Sequence, residues 1–265
     1  MKNTITGFAF VFMLALAGIW SAADVRAEVK TKTVTYKDGN VTLKGVMAWD
    51  SARSGKRPGI LVVDEWWGLT NYAKSRARRL AAAGYVAFAA DMYGDGKTTN
   101  DPKVAKKWMT GVIGDTAVWN RRAQLGLDIL KVDPNVDGSK LAAIGSSFGG
   151  ATAIQMAYAG HDIKAAVSIA SSLAPAPKNV TAIKPRMLVF IGGDDKWIKE
   201  DKFAAFKAGL AGVKADWQII TYSGTRHSFA NLDAGTRGMD NMVYNEKSAK
   251  RSWMATMALF EEAFK

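Results

Sequence analysis

From residue 32 onward, short apolar runs alternate with longer stretches in which apolar residues recur every three or four positions. The runs predict strands and the longer stretches predict helices. Val34–Tyr36 and Val41–Trp49 read as strands around Lys37-Asp38-Gly39-Asn40, a Gly/Asn turn suited to a hairpin. Gly59–Asp64, Tyr85–Ala90, Leu141–Gly145, Ala165–Ile169, Met187–Ile191 and Asp216–Tyr222 supply six more strands. Gly59–Asp64 is almost continuously apolar, as strands buried on both faces are. Helices are predicted over Asn71–Ala83, closed by Gly84, and from Asp101-Pro102 to about Met109. Asp115 caps a further helix running to Val132. Three more follow at Phe148–Ala159, Glu200–Leu210 and Glu246–Phe264. Strands alternating with helices in this order predict an α/β domain. Its sheet is mostly parallel and eight-stranded, with helices on both faces. No internal repeat, Pro-rich linker or break in composition divides it, so 28–265 reads as one domain.

The residues before this domain follow a different pattern. Lys2 precedes an uncharged, mostly apolar run from Gly7 to Trp20, and Val25-Arg26-Ala27 places small residues at the −3 and −1 positions before Glu28. This is the layout of a secretory signal peptide over residues 1–27. The run is shorter than the ~20 residues a spanning helix needs. The expectation is a cleaved, exported, periplasmic protein with no stable membrane insertion. Composition narrows the chemistry further. The chain has no cysteine, which excludes disulfides, thiolate metal sites and a cysteine nucleophile. Its two histidines, His161 and His227, exclude a multi-histidine metal cluster, and no metal is expected. The net charge is +12; losing Lys2, Arg26 and Asp24 with the signal leaves +11. The basic residues are scattered over helix faces, as at Lys74, Arg76, Arg78 and Arg79, with no aromatic-interleaved basic run. They read as solvated surface rather than as a nucleic-acid site. A monomer is the expected state.

In sheets of this kind ligands bind beyond the carboxyl ends of the strands. Gly145-Ser146-Ser147-Phe148-Gly149 stands at such an end, between an apolar strand and a helix rich in small residues. It matches Gly-x-Ser-x-Gly, the nucleophile elbow of the α/β-hydrolase fold, and the flanking glycines centre it on Ser147. A serine hydroxyl needs a base to become a nucleophile. The fold's chain order of Ser, acid, His selects His227, in the loop after the last strand, over His161 at a helix end. The orienting acid is expected after Met187–Ile191, where Asp194 and Asp195 are adjacent and spacing does not separate them. The oxyanion donors are expected at the Phe148 N–H and near Glu65-Trp66, after the third strand. Glu65, set between an apolar strand and two tryptophans, requires a partner. This chemistry needs no cofactor.

Several segments together resemble the dienelactone hydrolase family. They are Val63-Asp64-Glu65-Trp66-Trp67-Gly68, Gly84-Tyr85-Val86-Ala87 with Ala90-Asp91-Met92-Tyr93, Gly145–Gly150, Gly192-Gly193-Asp194-Asp195 and His227-Ser228-Phe229. The resemblance spans about Val34 to the C-terminus. It implies an α/β-hydrolase fold and a triad of Ser147, Asp195 and His227, with Glu65 beside the nucleophile. It implies an ester or lactone as the small-molecule substrate. The well-known members carry cysteine where this chain has Ser147. They also hold a substrate carboxylate with two arginines, where this chain has Gly94-Asp95-Gly96 and Asn231. Loss of both cations argues against dienelactone itself. Trp66, Trp67, Tyr93, Trp197 and Phe229 are candidates for lining an apolar or aromatic acyl site. Two other classes fit the same sequence: a non-catalytic binding protein on this scaffold, and an envelope protein held to anionic lipid by its charge.

Overall fold

The computed structural model describes residues 27–265, so the expected export signal lies outside the described residues except for Ala27. Eight strands form one sheet: β1 (Val29–Asp38), β2 (Val41–Asp50), β3 (Arg57–Val63), β4 (Val86–Ala89), β5 (Val136–Ser146), β6 (Ala165–Ile169), β7 (Ala182–Gly192) and β8 (Lys214–Tyr222). Their spatial order is β1-β2-β4-β3-β5-β6-β7-β8. β2 pairs antiparallel with both β1 and β4, and the other pairings are parallel. Among the described residues, six α-helices cover the sheet: α1 (Asn71–Ala82), α2 (Pro102–Ile113), α3 (Thr116–Val132), α4 (Phe148–Tyr158), α5 (Glu200–Ala211) and α6 (Glu246–Ala263).

The side-chain alternation of the central strands explains why they read as unbroken apolar runs. Leu61 and Val63 of β3 face one core, with α2, α3, α4 and α5. Ile60 and Val62 face the other, with α1 and α6. The same split divides Met187, Val189 and Ile191 from Leu188 and Phe190 on β7. A strand between two dry layers has no polar face to show. Helix starts follow the expected chemistry. Asp101 and Asp115 accept from backbone N–H groups of the first turns of α2 and α3, and Pro102 opens α2. Gly84, at φ 100°, turns the chain out of α1.

The strand bounds depart from the sequence reading where the sheet meets water or breaks register. β1 begins at Val29, not Val34, because Lys30, Thr31, Lys32 and Thr33 lie on an exposed edge strand with little apolar signal. Its lysines also blunt that edge against pairing with another chain. β5 begins at Val136, ahead of a register shift opposite Pro58/Gly59. β7 begins at Ala182, with a shift between Ile183 and Met187. Among the described residues, no helix is long and apolar enough to cross a membrane.

Candidate active site

The carboxyl ends of β3, β5, β7 and β8 deliver the chemistry-bearing residues to one rim. β5 ends at Ser146 and α4 begins at Phe148, leaving Ser147 as the single residue of the turn. Ser147 has φ 53° and ψ −115°, a conformation that L-residues adopt only under constraint. The constraint is visible in its neighbours. Ser147 N–H donates to the Ile169 carbonyl at 2.9 Å. A Cβ on Gly149 would sit 2.1 Å from the Val63 carbonyl oxygen, and one on Gly145 would sit 2.2 Å from the Gly149 backbone. Backbone lies against backbone at both positions, so glycine is required. Gly149→Ala is expected to cost about 3 kcal/mol or more in urea unfolding. Gly111→Ala, with open space around it on α2, is expected to stabilise by about 0.5–1 kcal/mol.

His227, in the loop after β8, is 4% exposed. Its Nε2 lies 2.9 Å from Ser147 Oγ and its Nδ1 lies 2.7 Å from Asp195 Oδ2. Three residues spread over 80 positions thus form one hydrogen-bonded chain. The other carboxylate oxygen, Asp195 Oδ1, accepts from Asn241 Nδ2 at 2.8 Å and from the Trp197 N–H at 3.0 Å. Burial alone would raise the Asp195 pKa, but the hydrogen bond and charge of His227, with Asn241 and the Trp197 N–H, hold it below the usual carboxylate range. Asp194 is exposed, which separates the two adjacent aspartates. His161 lies beyond the end of α4, where its Nδ1 meets Gln124 Oε1 at 2.6 Å. Asn241, which fixes the acid, is absent from the sequence-level reading. It lies 46 residues from Asp195, in a segment with no motif to mark it.

The loop after β3 carries two buried carboxyls. Glu65 is 1% exposed, and its Oε2 accepts from Asn231 Nδ2 at 3.0 Å. The required partner is therefore the asparagine that stands four residues after His227. The second oxygen, Oε1, has no hydrogen-bond partner. Asp64 Oδ1 accepts from the Glu65 N–H, and its Oδ2 accepts from the Thr70 N–H at 2.6 Å and from the Thr70 hydroxyl. Burial pushes Asp64 up to about 7; adjacent Glu65 adds to this, and the Thr70 hydroxyl opposes it. A carboxyl carbon NMR titration of Asp64 is expected to give a midpoint near 7, and a midpoint near the ordinary 3.8 would contradict it. Its folded pKa is raised. Its stabilising contribution is therefore complete below about 3.8 and is lost as pH rises through about 7.

Beside Ser147 and His227 opens a cavity of about 400 Å³ walled chiefly by Trp66, Met109, Ile113, Trp119, Trp197 and Ile198. Among the described residues, no Lys, Arg, Asp or Glu lines it. Trp197 is 45% exposed and lies 4.5 Å, centroid to centroid, from the His227 ring. Trp66, Trp197, Ser147, Phe148 and His227 meet at the cavity. Trp67, Tyr93 and Phe229 do not, and their expected lining role is corrected. Trp67 is fully buried behind Trp66 with ring centroids 5.0 Å apart. Tyr93 stacks on Phe148 at 5.6 Å, and Phe229 packs on Tyr222 at 5.7 Å. The Gly94-Asp95-Gly96 segment is a backbone knot around Asp91, whose carboxylate accepts from the N–H groups of Lys44, Tyr93, Gly94 and Gly96.

A sharp strand-to-helix turn at Ser147, with His227 bonded to Ser147 and Asp195 bonded to His227, on a mostly parallel eight-stranded sheet is the architecture of the α/β-hydrolase class of fold. Residues 43–264 match the profile of the Dienelactone hydrolase family. The chain belongs to the dienelactone hydrolase family and is a hydrolase of that family. A crystal structure of a dienelactone hydrolase-like promiscuous phosphotriesterase from metagenomic libraries superposes with a TM-score of 0.86 at 39% identity. That match covers 89% of this chain and 99% of the other. Protein usf of Aquifex pyrophilus is 26% identical over 242 residues, 86% of this chain and 97% of the relative. A putative carboxymethylenebutenolidase of Salmonella typhimurium is 26% identical over 224 residues, 80% of this chain and 79% of the relative.

Proposed function

We propose that the chain is an exported serine esterase or lactonase acting through an acyl-enzyme. The observation that carries this reading is the pair of contacts on His227: 2.9 Å to Ser147 Oγ and 2.7 Å to Asp195 Oδ2. His227 Nε2 accepts the hydroxyl proton as Ser147 Oγ bonds to the substrate carbonyl carbon. Asp195, held ionised, fixes the Nδ1–H tautomer and stabilises the imidazolium. The developing oxyanion takes hydrogen bonds from the Phe148 N–H, a first-turn donor that α4 leaves free, and from the Trp66 N–H. Each such donor is worth roughly 3–4 kcal/mol of barrier. Collapse of the tetrahedral intermediate breaks the carbonyl–oxygen bond, and the leaving alcohol takes the proton from His227. Water, deprotonated by the same imidazole, then cleaves the acyl-serine ester and restores Ser147.

The uncharged, tryptophan-rich wall favours a neutral, apolar or aromatic acyl group. A carboxylate placed there would lose its hydration without gaining a cation. A panel of aryl esters and lactones tests this, each compared with its analogue carrying a carboxylate on the acyl side. The expected result is a kcat/KM about 100-fold or more higher for the neutral member of each pair. Equal or better turnover of the carboxylates would contradict the assignment of the cavity. Export rests on the pattern of residues 1–27, and secretion of a reporter fused to them is its test.

A further inference from the structure

Arg76, on the second turn of α1, is 6% exposed. Its Nη2 donates to the Tyr72 hydroxyl at 2.9 Å, while its Nε and Nη1 are buried without a hydrogen-bond partner. Among the described residues neither Arg76 nor Arg79, one turn of helix further on, is paired with a carboxylate. Aromatic faces give partial compensation. The Arg76 guanidinium lies 5.3 Å from the Tyr72 ring and 5.9 Å from the Trp253 ring, and Arg79 lies 4.2 Å from the same Trp253. Two cations thus crowd one indole, and a buried cation without a counter-ion is costly.

Arg76 and Arg79 both line a separate cavity of about 200 Å³, which shares no lining residue with the larger one. It lies between α1, the segment after His227 and the start of α6, with Tyr72 and Tyr244 on its wall. Among the described residues, Asp233 is its one carboxylate. Asn231, also on the wall, is already committed to Glu65 and to the Asp233 N–H.

We propose that this cavity binds a small oxyanion, a carboxylate or phosphate group, with Arg76 as the inner cation and Arg79 as the outer one. Arg76 supplies the unpartnered donors Nε and Nη1 for hydrogen bonds to an anion oxygen, and Arg79 adds a second positive charge. The Tyr244 hydroxyl at the wall adds a neutral donor. The site stands apart from the ester chemistry, so Ser147→Ala leaves it intact. It remains coupled to the elbow by one contact: the Tyr72 hydroxyl, which Arg76 holds, meets Ser146 Oγ at 2.7 Å.

Isothermal titration of the full folded protein at constant ionic strength tests the site, with inorganic phosphate in one arm and acetate in the other. The expected result is saturable one-to-one binding of at least one of the two, unchanged in Ser147→Ala. Binding of phosphate alone or acetate alone assigns the headgroup. Arg76→Met is expected to abolish binding. Exposed Arg79→Gln, which disturbs no ion pair, is expected to weaken it about tenfold and covers the case in which Arg76→Met does not fold. No saturable binding of either anion up to about 20 mM, or equal affinity in wild type and Arg79→Gln, overturns the proposal.

Discussion

Ser147→Ala is expected to lower kcat on the best ester substrate by ~10⁴–10⁶ while KM changes little. The substitution deletes only the oxygen that lies 2.9 Å from His227 Nε2. The bond that anchors the turn is made by the Ser147 backbone N–H to Ile169, and it survives. The cavity wall and the two oxyanion donors also survive, so the substrate still binds. What remains is the modest rate that binding and oxyanion stabilisation give without a nucleophile. The check is steady-state kinetics of both proteins, with a thermal melt to show that the fold is unchanged. A variant retaining more than about a tenth of the wild-type rate would remove Ser147 from the mechanism.

Asp195→Asn is expected to cost about 10⁴ in kcat, for a reason the hydrogen bonds specify. Asp195 Oδ1 accepts from Asn241 and from the Trp197 N–H, so an asparagine there keeps its carbonyl oxygen on that side. Its amide NH₂ then faces His227 Nδ1 and demands an acceptor. The imidazole answers with its other tautomer, which carries the proton on Nε2 and donates to Ser147 instead of accepting from it. The base is lost with the geometry preserved. Loss of kcat with little change in KM, read by initial-rate kinetics, distinguishes this from a displaced loop. A variant as active as wild type would show that Asp195 does not set the tautomer.

The sheet and the three-residue chain were legible in the sequence because strong local constraints write them there. Central strands β3 and β7 are sandwiched between two dry layers and therefore appear as unbroken apolar runs. Gly145 and Gly149 mark backbone contacts too close for any Cβ. Chain order selects His227 and the family resemblance selects Asp195; His227 contacts Ser147 Oγ, and Asp195 contacts His227 Nδ1. The first half of β1 was illegible because an edge strand exposed to water needs no apolar residues. The cavity wall was illegible for the opposite reason. Trp67, Tyr93 and Phe229 pack in the interior, while Met109, Ile113 and Trp119 of α2 and α3 face an empty space. An apolar residue looks the same in a sequence whether it meets another side chain or a void. Asp64 and Asn241 went unassigned because their work depends on neighbours distant along the chain or on burial.

The most direct measurement is mass spectrometry after exposure of the folded protein to a fluorophosphonate probe. An activated hydroxyl displaces fluoride and keeps the phosphonyl group. The account predicts one adduct per chain, mapped to the peptide containing Ser147, and none in His227→Gln, where the base is gone. Labelling elsewhere, or no labelling of a protein that hydrolyses esters, would contradict it.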